Sequence, residues 1–398
     1  MTDSIDAPRA RTAAHSMGAM LVMVICIGLG EKMAERFLPL YLLALGSTPF
    51  WVGFLNAMDV LLGALYSFPG GYVSDRFGYR RALIFFTLVA MAGYAVVIFI
   101  PSWQAVLIGS VFFIAWTAVS LPAIMSMVSE VMSARRRVLG VSLHSFVRRI
   151  PMALGPVLGG FLIVTCGTQR GVRLAFVAAF VLGIVAIAFV MRFMHDGGRT
   201  ARREPARAFF KYLRGDLLHL LFSDILVRFA EQIPYAFVVV WAVNNNGISP
   251  VQFGLLTTIE MVTAMAVYIP VAFLADAFGK KPFVVMTFIF FTIFPLVLCI
   301  SRSMPMLIVA FVIRGLKEFG EPTRKALIMD LAPEQAKAGT FGAYYLVRDV
   351  IVAGAALSSA WLWNISPYAN FLTAAACGAL GTLLFAVFGR DVQRVRTA

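Results

Sequence analysis

Long apolar runs alternate along the chain with short stretches of charge, proline and glycine. The runs fall near residues 17–45, 50–73, 82–100, 103–130, 138–165, 173–191, 216–243, 250–274, 283–300, 304–329, 338–363 and 367–388. An α-helix needs about twenty such residues to cross the hydrocarbon of a bilayer. Barrel strands are shorter, and an open sheet would leave backbone groups unsatisfied in lipid. The pattern therefore predicts an all-α polytopic membrane protein of twelve transmembrane helices. One long polar connection, GGRTARREPARAFFKYLRG, divides the spans six and six. The expected organisation is an N-terminal tail (1–16), a six-helix bundle (17–191), a central loop (192–215), a second six-helix bundle (216–389) and a C-terminal tail (390–398).

Composition narrows this further. Of 398 residues, 60% are hydrophobic and only 14% charged, and the mean hydropathy is +0.85. That leaves too little polar surface for a soluble globule and excludes disorder, coiled coil and collagen. The net charge of +14 suggests nucleic acid at first sight. The basic residues sit in short loops between apolar runs, however, so membrane orientation explains them and no nucleic-acid partner is expected. Twenty-one lysines and arginines fall on one side of the spans and three on the other, which predicts cytoplasmic termini and a cytoplasmic central loop. The apolar run after Arg9 and Arg11 lacks a small-x-small cleavage site and reads as an uncleaved first span. The four cysteines are scattered, with no metal-ligand spacing. No nucleophile–base set, phosphate-cradling loop or metal cluster is present, so neither an enzyme nor a cofactor is expected.

The halves repeat. Gly71-Tyr-Val-Ser-Asp75-Arg76-Phe-Gly78 after span two matches Ala272-Phe-Leu-Ala-Asp276-Ala277-Phe-Gly279 after span eight, 201 residues on. At an offset of 200, Pro122 falls on Pro322, Glu130 on Asp330 and Arg148 on Arg348. Glu35-Arg-Phe-Leu-Pro39 echoes Phe229-Ala-Glu231-Gln-Ile-Pro234 less cleanly. Parallel repeats of this kind place a substrate site between the halves near the bilayer midplane.

The loop Gly71-x-x-x-Asp75-Arg76-x-Gly78-Tyr79-Arg80-Arg81 resembles the signature of the major facilitator superfamily, with Tyr79 where a basic residue is usual. Its second copy keeps Asp276, Gly279, Lys280 and Lys281. Gly155-Pro156-Val-Leu-Gly159-Gly160 in span five is similar to the motif of that superfamily's antiporters and drug exporters. The resemblance covers the whole chain and implies two six-helix bundles around a central cavity, a drug/proton antiporter-like activity and alternating access. Gating is assigned to Gly71, Asp75, Arg76, Gly78, Arg80, Arg81, Asp276, Gly279 and Lys280, where an ion-pair latch can be stronger in one conformer than the other. The span-five motif Gly155, Pro156, Gly159 and Gly160, in which proline removes a helix hydrogen bond and glycines allow close approach, joins them.

A charge at membrane depth costs at least about 2.5–3.5 kcal/mol, so each marks a partner, water or a purpose. The centres of spans three, six, nine and twelve carry none. The resemblance implies that the third helix of each triplet is peripheral, so the charged helices are those that line a cavity. Candidate substrate contacts are Arg36, Asp59, Trp116, Arg148, Arg228, Tyr235, Glu260, Arg314, Tyr345 and Arg348. Glu321, Arg324 and Lys325 read as interfacial or latch residues. Glu31, Glu35 and Glu231 are the proton-coupling candidates. A carboxylate paired with an arginine stays ionised, and one that loses its partner in a drier conformer takes a proton; Glu35 beside Arg36 and Glu231 beside Arg228 fit that role. The segment around Glu31 and Glu35 also resembles the acidic motif of proton-coupled peptide transporters, with one extra residue. Ile114 replaces the span-four arginine of many drug antiporters, while its repeat mate is Arg314.

The expected function is secondary active transport of a small organic solute across an inner membrane by a monomer, with proton-coupled export first. Uptake or exchange of an organic anion through an arginine-rich cavity is the alternative, and a non-transporting receptor or lipid scaffold the second.

Overall fold

Helix follows from the apolar runs, and the structure, a computed structural model, describes residues 6–113, 116, 120, 124, 137–194, 210–333 and 337–390. Every described element is helical. Among the described residues, nine helices are long and apolar enough to cross a membrane, and the bent pair Asp216–Tyr235 and Val238–Asn245 makes a tenth. Span four begins as Trp103–Phe113 and span ten is two helices, Met304–Leu316 and Glu321–Leu331. Much of span four and of the central loop lies outside the described residues. Large apolar side chains such as Phe99, Trp361 and Val387 stand exposed, as expected of a surface solvated by acyl chains.

The chain forms two compact units. The first comprises Met1–Ser47, Leu62–Arg202 and Ser249–Leu255; the second comprises Thr48–Leu61, Arg203–Ile248 and Leu256–Ala398. Within the first, span one packs on spans five and six, and span three on spans four and six. Within the second, span seven packs on eleven and twelve, and span nine on ten and twelve. The packing scheme repeats at six spans, as the sequence does at about 200 residues. Spans two and eight are cut by the unit boundary because their first turns make backbone-close contacts. A Cβ on Gly53 would lie 2.8 Å from the Cβ of Ala360 in the second unit, and one on Gly254 would lie 2.6 Å from the carbonyl oxygen of Pro156 in the first.

Both halves break their first helix at the same place. Asp6–Glu35 ends in a turn at Arg36 and Phe37, where the Phe37 amide donates to the carbonyl of Ala34 at 3.0 Å, and Leu38–Ala44 follows. Two hundred residues later Asp216–Tyr235 ends at Ala236 and Phe237, with the Phe237 amide donating to the Pro234 carbonyl at 2.9 Å. Pro39, just past the first break, has no amide to donate to the Glu35 carbonyl, and Pro234 weakens the last turn of its helix just before the second. This register makes Glu31 the repeat mate of Glu231, a pairing different from the Glu35 alignment that the motif suggests.

A turn of π-helix, Trp241–Asn245, then carries one residue more than its first-half counterpart, which is how a π-turn is built. The offset changes there from 200 to 201. Gly46 and Gly247 share positive φ (85° and 69°), and Pro49–Phe77 corresponds to Pro250–Phe278. Gly78 and Gly279, at φ 85° and 88°, end the two loop signatures in backbone conformations that side chains with a Cβ resist.

Candidate functional site

In the second unit, spans seven, eight, ten and eleven bring ten charged side chains into one ladder of alternating sign. It starts at Asp349, whose Oδ1 accepts from Arg348 Nε at 2.7 Å. Arg348 Nη1 lies 3.5 Å from Asp224 Oδ2. Asp224 also pairs with Arg324 and accepts from the Tyr344 hydroxyl at 3.0 Å. Arg324 continues to Glu321 at 2.7 Å, and Glu321 to Arg228 at 3.1 Å. Arg228 donates to Glu231 at 2.6 Å, and the other oxygen of Glu231 meets Lys317 at 2.5 Å. Glu260 ends the ladder, 3.9 Å from Lys317 and 3.3 Å from Arg314. Among the described residues the ladder alternates five carboxylates with five cations, the exposed Lys325 adding a contact to Glu321 at 3.5 Å; neighbours of opposite sign are what allow Asp224 and Arg324 to be only 1% exposed.

Aromatic faces complete the cage. The Arg348 guanidinium stands 4.1 Å from the Tyr345 ring centroid, and Arg314 is ringed by Tyr235, Phe294 and Phe311 at 5.5, 5.2 and 5.5 Å. Among the described residues, Glu260 Oε2 and Arg228 Nε on this ladder make no hydrogen bond, the latter lying 3.8 Å from Asp224 Oδ1. Nearby, Asn56 of span two donates to the carbonyl of Gln232 at 3.1 Å.

The first unit is built differently. Lys32 lies between two carboxylates on its own helix, donating to Glu31 at 3.1 Å and pairing with Glu35. A narrow cleft opens beside them between spans one, four and five, lined by Val24, Gly28, Glu31, Lys32, Trp116, Ser120, Ile124, Arg148, Pro151 and Met152. It has about 20 Å³ of water-sized space, room for one or two waters. The Trp116 indole is anchored by donating to Thr87 Oγ1 at 3.3 Å.

The span-five motif presses on the same helix. A Cβ on Gly155 would approach the Lys32 Cβ to 2.7 Å, and one on Gly159 would run into the Met33 carbonyl. Gly160 meets the backbone of Pro250. We expect Gly159→Val to lower the melting temperature of the purified protein by several degrees, because the obstacle is backbone; an unchanged melt would show that span five can move away at no cost.

The predicted substrate contacts thus separate. Arg228, Tyr235, Glu260, Arg314, Tyr345 and Arg348 join one cluster in the second unit, with Glu231. Trp116 and Arg148 line the first-unit cleft with Glu31, and Glu35 lies beside Lys32. Arg36 is half-buried in the helix-break turn, and Asp59 is half-buried on the part of span two that belongs to the second unit. Arg324 and Glu321 are buried inside the ladder. Asp224, Lys317 and Tyr344, absent from the candidate set, are core members of it. The i,i+4 spacing of Asp224 and Arg228 carried a signal for the first; Tyr344 had none.

Among the gating candidates, the side-chain surroundings of Gly71, Asp75 and Asp276 lie outside the described residues. Arg76 and Arg81 are exposed. Arg80 Nη2 donates to the carbonyl of Met191 on span six at 2.7 Å, while Lys280 pairs with Asp330. Each loop copy is therefore tied within its own unit. Among the described residues no group of three or more metal-ligating side chains occurs.

Among the described residues, a polytopic helical fold whose packing repeats between two units, with buried charge on spans one and five of the first and on spans seven, eight, ten and eleven of the second, is that of a secondary transporter. The family model described as Major Facilitator Superfamily matches residues 20–223 and again 220–397, and the chain belongs to that superfamily. It is 25% identical over 340 residues to the uncharacterized MFS-type transporter YqjV of Bacillus subtilis, covering 80% of this chain and 78% of that one. A shorter match, 29% identity over 117 residues, links it to the uncharacterized MFS-type transporter MJ1317 of Methanocaldococcus jannaschii, covering 29% of each. Among solved structures, a mutant of peptide transporter POT superposes with a TM-score of 0.77 at 14% identity, covering 96% and 97% of the two chains. The nucleoside transporter NupG superposes at 0.75 and 11%, covering 95% and 100%. At such identities these structures share the fold.

Proposed function

We propose that this transporter exports a small organic solute across the inner membrane of a bacterial-type cell, as a monomer with both termini in the cytoplasm, driven by the proton gradient. The observation that carries the reading is the pair of helix breaks at Phe37 and Phe237. Discontinuous first helices at matching points of two repeats are a device of transporters in which rocking of the repeats alternates access to a solute. Ionisable carboxylates flank both breaks: Glu31 and Glu35 within two turns of one, Glu231 within two turns of the other. In the first unit two carboxylates share Lys32, an arrangement that a proton can discharge without stranding a cation. The contact between the span-five motif and Lys32 offers a route by which helix movement reaches those carboxylates, and the motif's resemblance to that of exporters supports outward transport.

The test uses membrane vesicles with an imposed pH gradient, and solutes chosen by a thermal-shift screen over metabolites and drugs. Inverted vesicles are expected to accumulate the substrate against its gradient. Accumulation confined to right-side-out vesicles would reverse the direction, and indifference to the pH gradient would remove the proton.

A second reading is uptake or exchange of an organic anion. It is favoured by the cations Lys32 and Arg148 in the first-unit cleft.

A further inference from the structure

Glu260 is held more loosely than any other carboxylate of the ladder. Asp349, Glu321 and Glu231 accept hydrogen bonds from cations at 2.7, 2.7 and 2.6 Å, and Asp224 accepts one from Arg324. Among the described residues Glu260 accepts none, and its Oε2 has no partner, although the residue is only 2% exposed. Its Oε1 lies 3.3 Å from Arg314 Nε and 3.9 Å from Lys317 Nζ. A buried carboxylate without hydrogen bonds is costly, and a proton removes the charge.

The charged and titratable groups facing it are Arg314 and Lys317 from span ten and, beyond them, Glu231 and Tyr235 from span seven. A proton on Glu260 leaves each cation a partner. Lys317 keeps Glu231 at 2.5 Å, and Arg314 keeps the acid's carbonyl oxygen and the faces of Tyr235, Phe294 and Phe311. A proton on any of the other four breaks a charge-assisted hydrogen bond. Glu260 lies ten residues into Pro250–Phe278 and Arg314 ten into Met304–Leu316. That is about 15 Å along each helix, half the depth of a bilayer's hydrocarbon. The repeat keeps this acid without its arginine. At the offset of 201 that pairs Pro49–Phe77 with Pro250–Phe278, Glu260 falls on Asp59, while Arg314 falls on Ile114 at an offset of 200. An acid kept where the arginine is not has a use beyond neutralising that arginine.

We propose that Glu260 is a proton-binding site of the second unit, its carboxylate taking a proton from water at mid-depth and returning it within one transport cycle. Only an O–H bond forms and breaks. Uptake turns Oε2 from a bare acceptor into a donor. A Cβ on Gly315 would lie 2.6 Å from the Glu260 carbonyl oxygen, so spans eight and ten touch backbone to backbone beside the acid. Protonation weakens the side-chain attraction across that contact, which ties the proton to helix movement. This deepens the transport reading and rests on it for the cycle, though not for the protonation itself.

Full-length protein in lipid nanodiscs is followed by infrared difference spectroscopy as the pH is lowered, which reads the carbonyl band of a buried carboxyl group gaining a proton. Wild type is expected to show such a band, Glu260→Gln to lose it, and Glu260→Asp, which keeps the acid, to show it at a displaced frequency. Glu260→Gln is expected to melt within a few degrees of wild type, because the amide oxygen still faces Arg314. The proposal is overturned if the wild-type band persists unchanged in Glu260→Gln, or if wild type has no band to lose. Should Glu260→Gln fail to fold, Glu260→Asp decides alone, and an undisplaced band overturns the proposal. Proteoliposome flux under an imposed pH gradient separates the two claims. A band assigned to Glu260 without gradient-driven flux keeps the site and sinks the transport reading. Gradient-driven accumulation at the wild-type level in Glu260→Gln keeps transport and sinks the site's place in the cycle.

Discussion

Arg324→Leu melts well below the wild-type protein, with a loss of about 3–5 kcal/mol of stability. The guanidinium sits in the middle of the ladder with two carboxylates on it, Asp224 and Glu321, and is almost wholly shielded from solvent. Deleting it leaves Asp224 with Arg348 and Arg228 at the long distances of 3.5 and 3.8 Å and the Tyr344 hydroxyl at 3.0 Å. None of these replaces the close guanidinium of Arg324. The loss is a penalty for a stranded charge, so it is expected to shrink when the charge is removed too. Asp224→Leu combined with Arg324→Leu recovers most of the stability, because a buried pair replaced by apolar groups of similar volume is near neutral. A double-mutant cycle in thermal unfolding measures this. If the two single losses simply add, the pair is not coupled and the ladder is a coincidence of packing.

The second large effect is on transport. Glu35→Gln and Glu31→Gln are each expected to reduce gradient-driven movement to that of empty vesicles while leaving solute counterflow intact. Counterflow requires the binding site and the conformational cycle but no net proton movement, so its survival isolates the proton step. Glu231→Gln is a different experiment. Glu231 holds both Arg228 and Lys317, and removing its charge leaves two buried cations short of a partner, so lost stability is expected together with lost transport. The three variants therefore separate coupling from architecture: first-unit carboxylates change the driving force alone, whereas the second-unit carboxylate changes the fold as well. Full pH dependence in both Glu31→Gln and Glu35→Gln, measured against counterflow, would exclude the first-unit carboxylates as proton carriers.

Glu35 illustrates how far local pattern reaches. Arg36 follows it in the chain and is its evident partner on paper; the structure adds Lys32, which reaches it across one turn of helix. Arg324 shows the other limit. Its position near the end of an apolar run suggests an interfacial residue, but span ten breaks at Lys317–Gly320, and the second helix carries Arg324 inward to Asp224, a hundred residues away in sequence.

The all-helical polytopic fold and the paired loop glycines follow from linear features. Lipid imposes them through rules on apolar length and on backbone satisfaction that act within a single segment. Partner choice among the charges, and the contrast between a filled ladder and an open cleft, came only from assembly. Val24, Gly28 and Ile124 are ordinary membrane residues until spans one, four and five meet around Arg148, because an electrostatic environment is set by neighbours in space, and these lie 124, 120 and 24 residues from Arg148 in the chain.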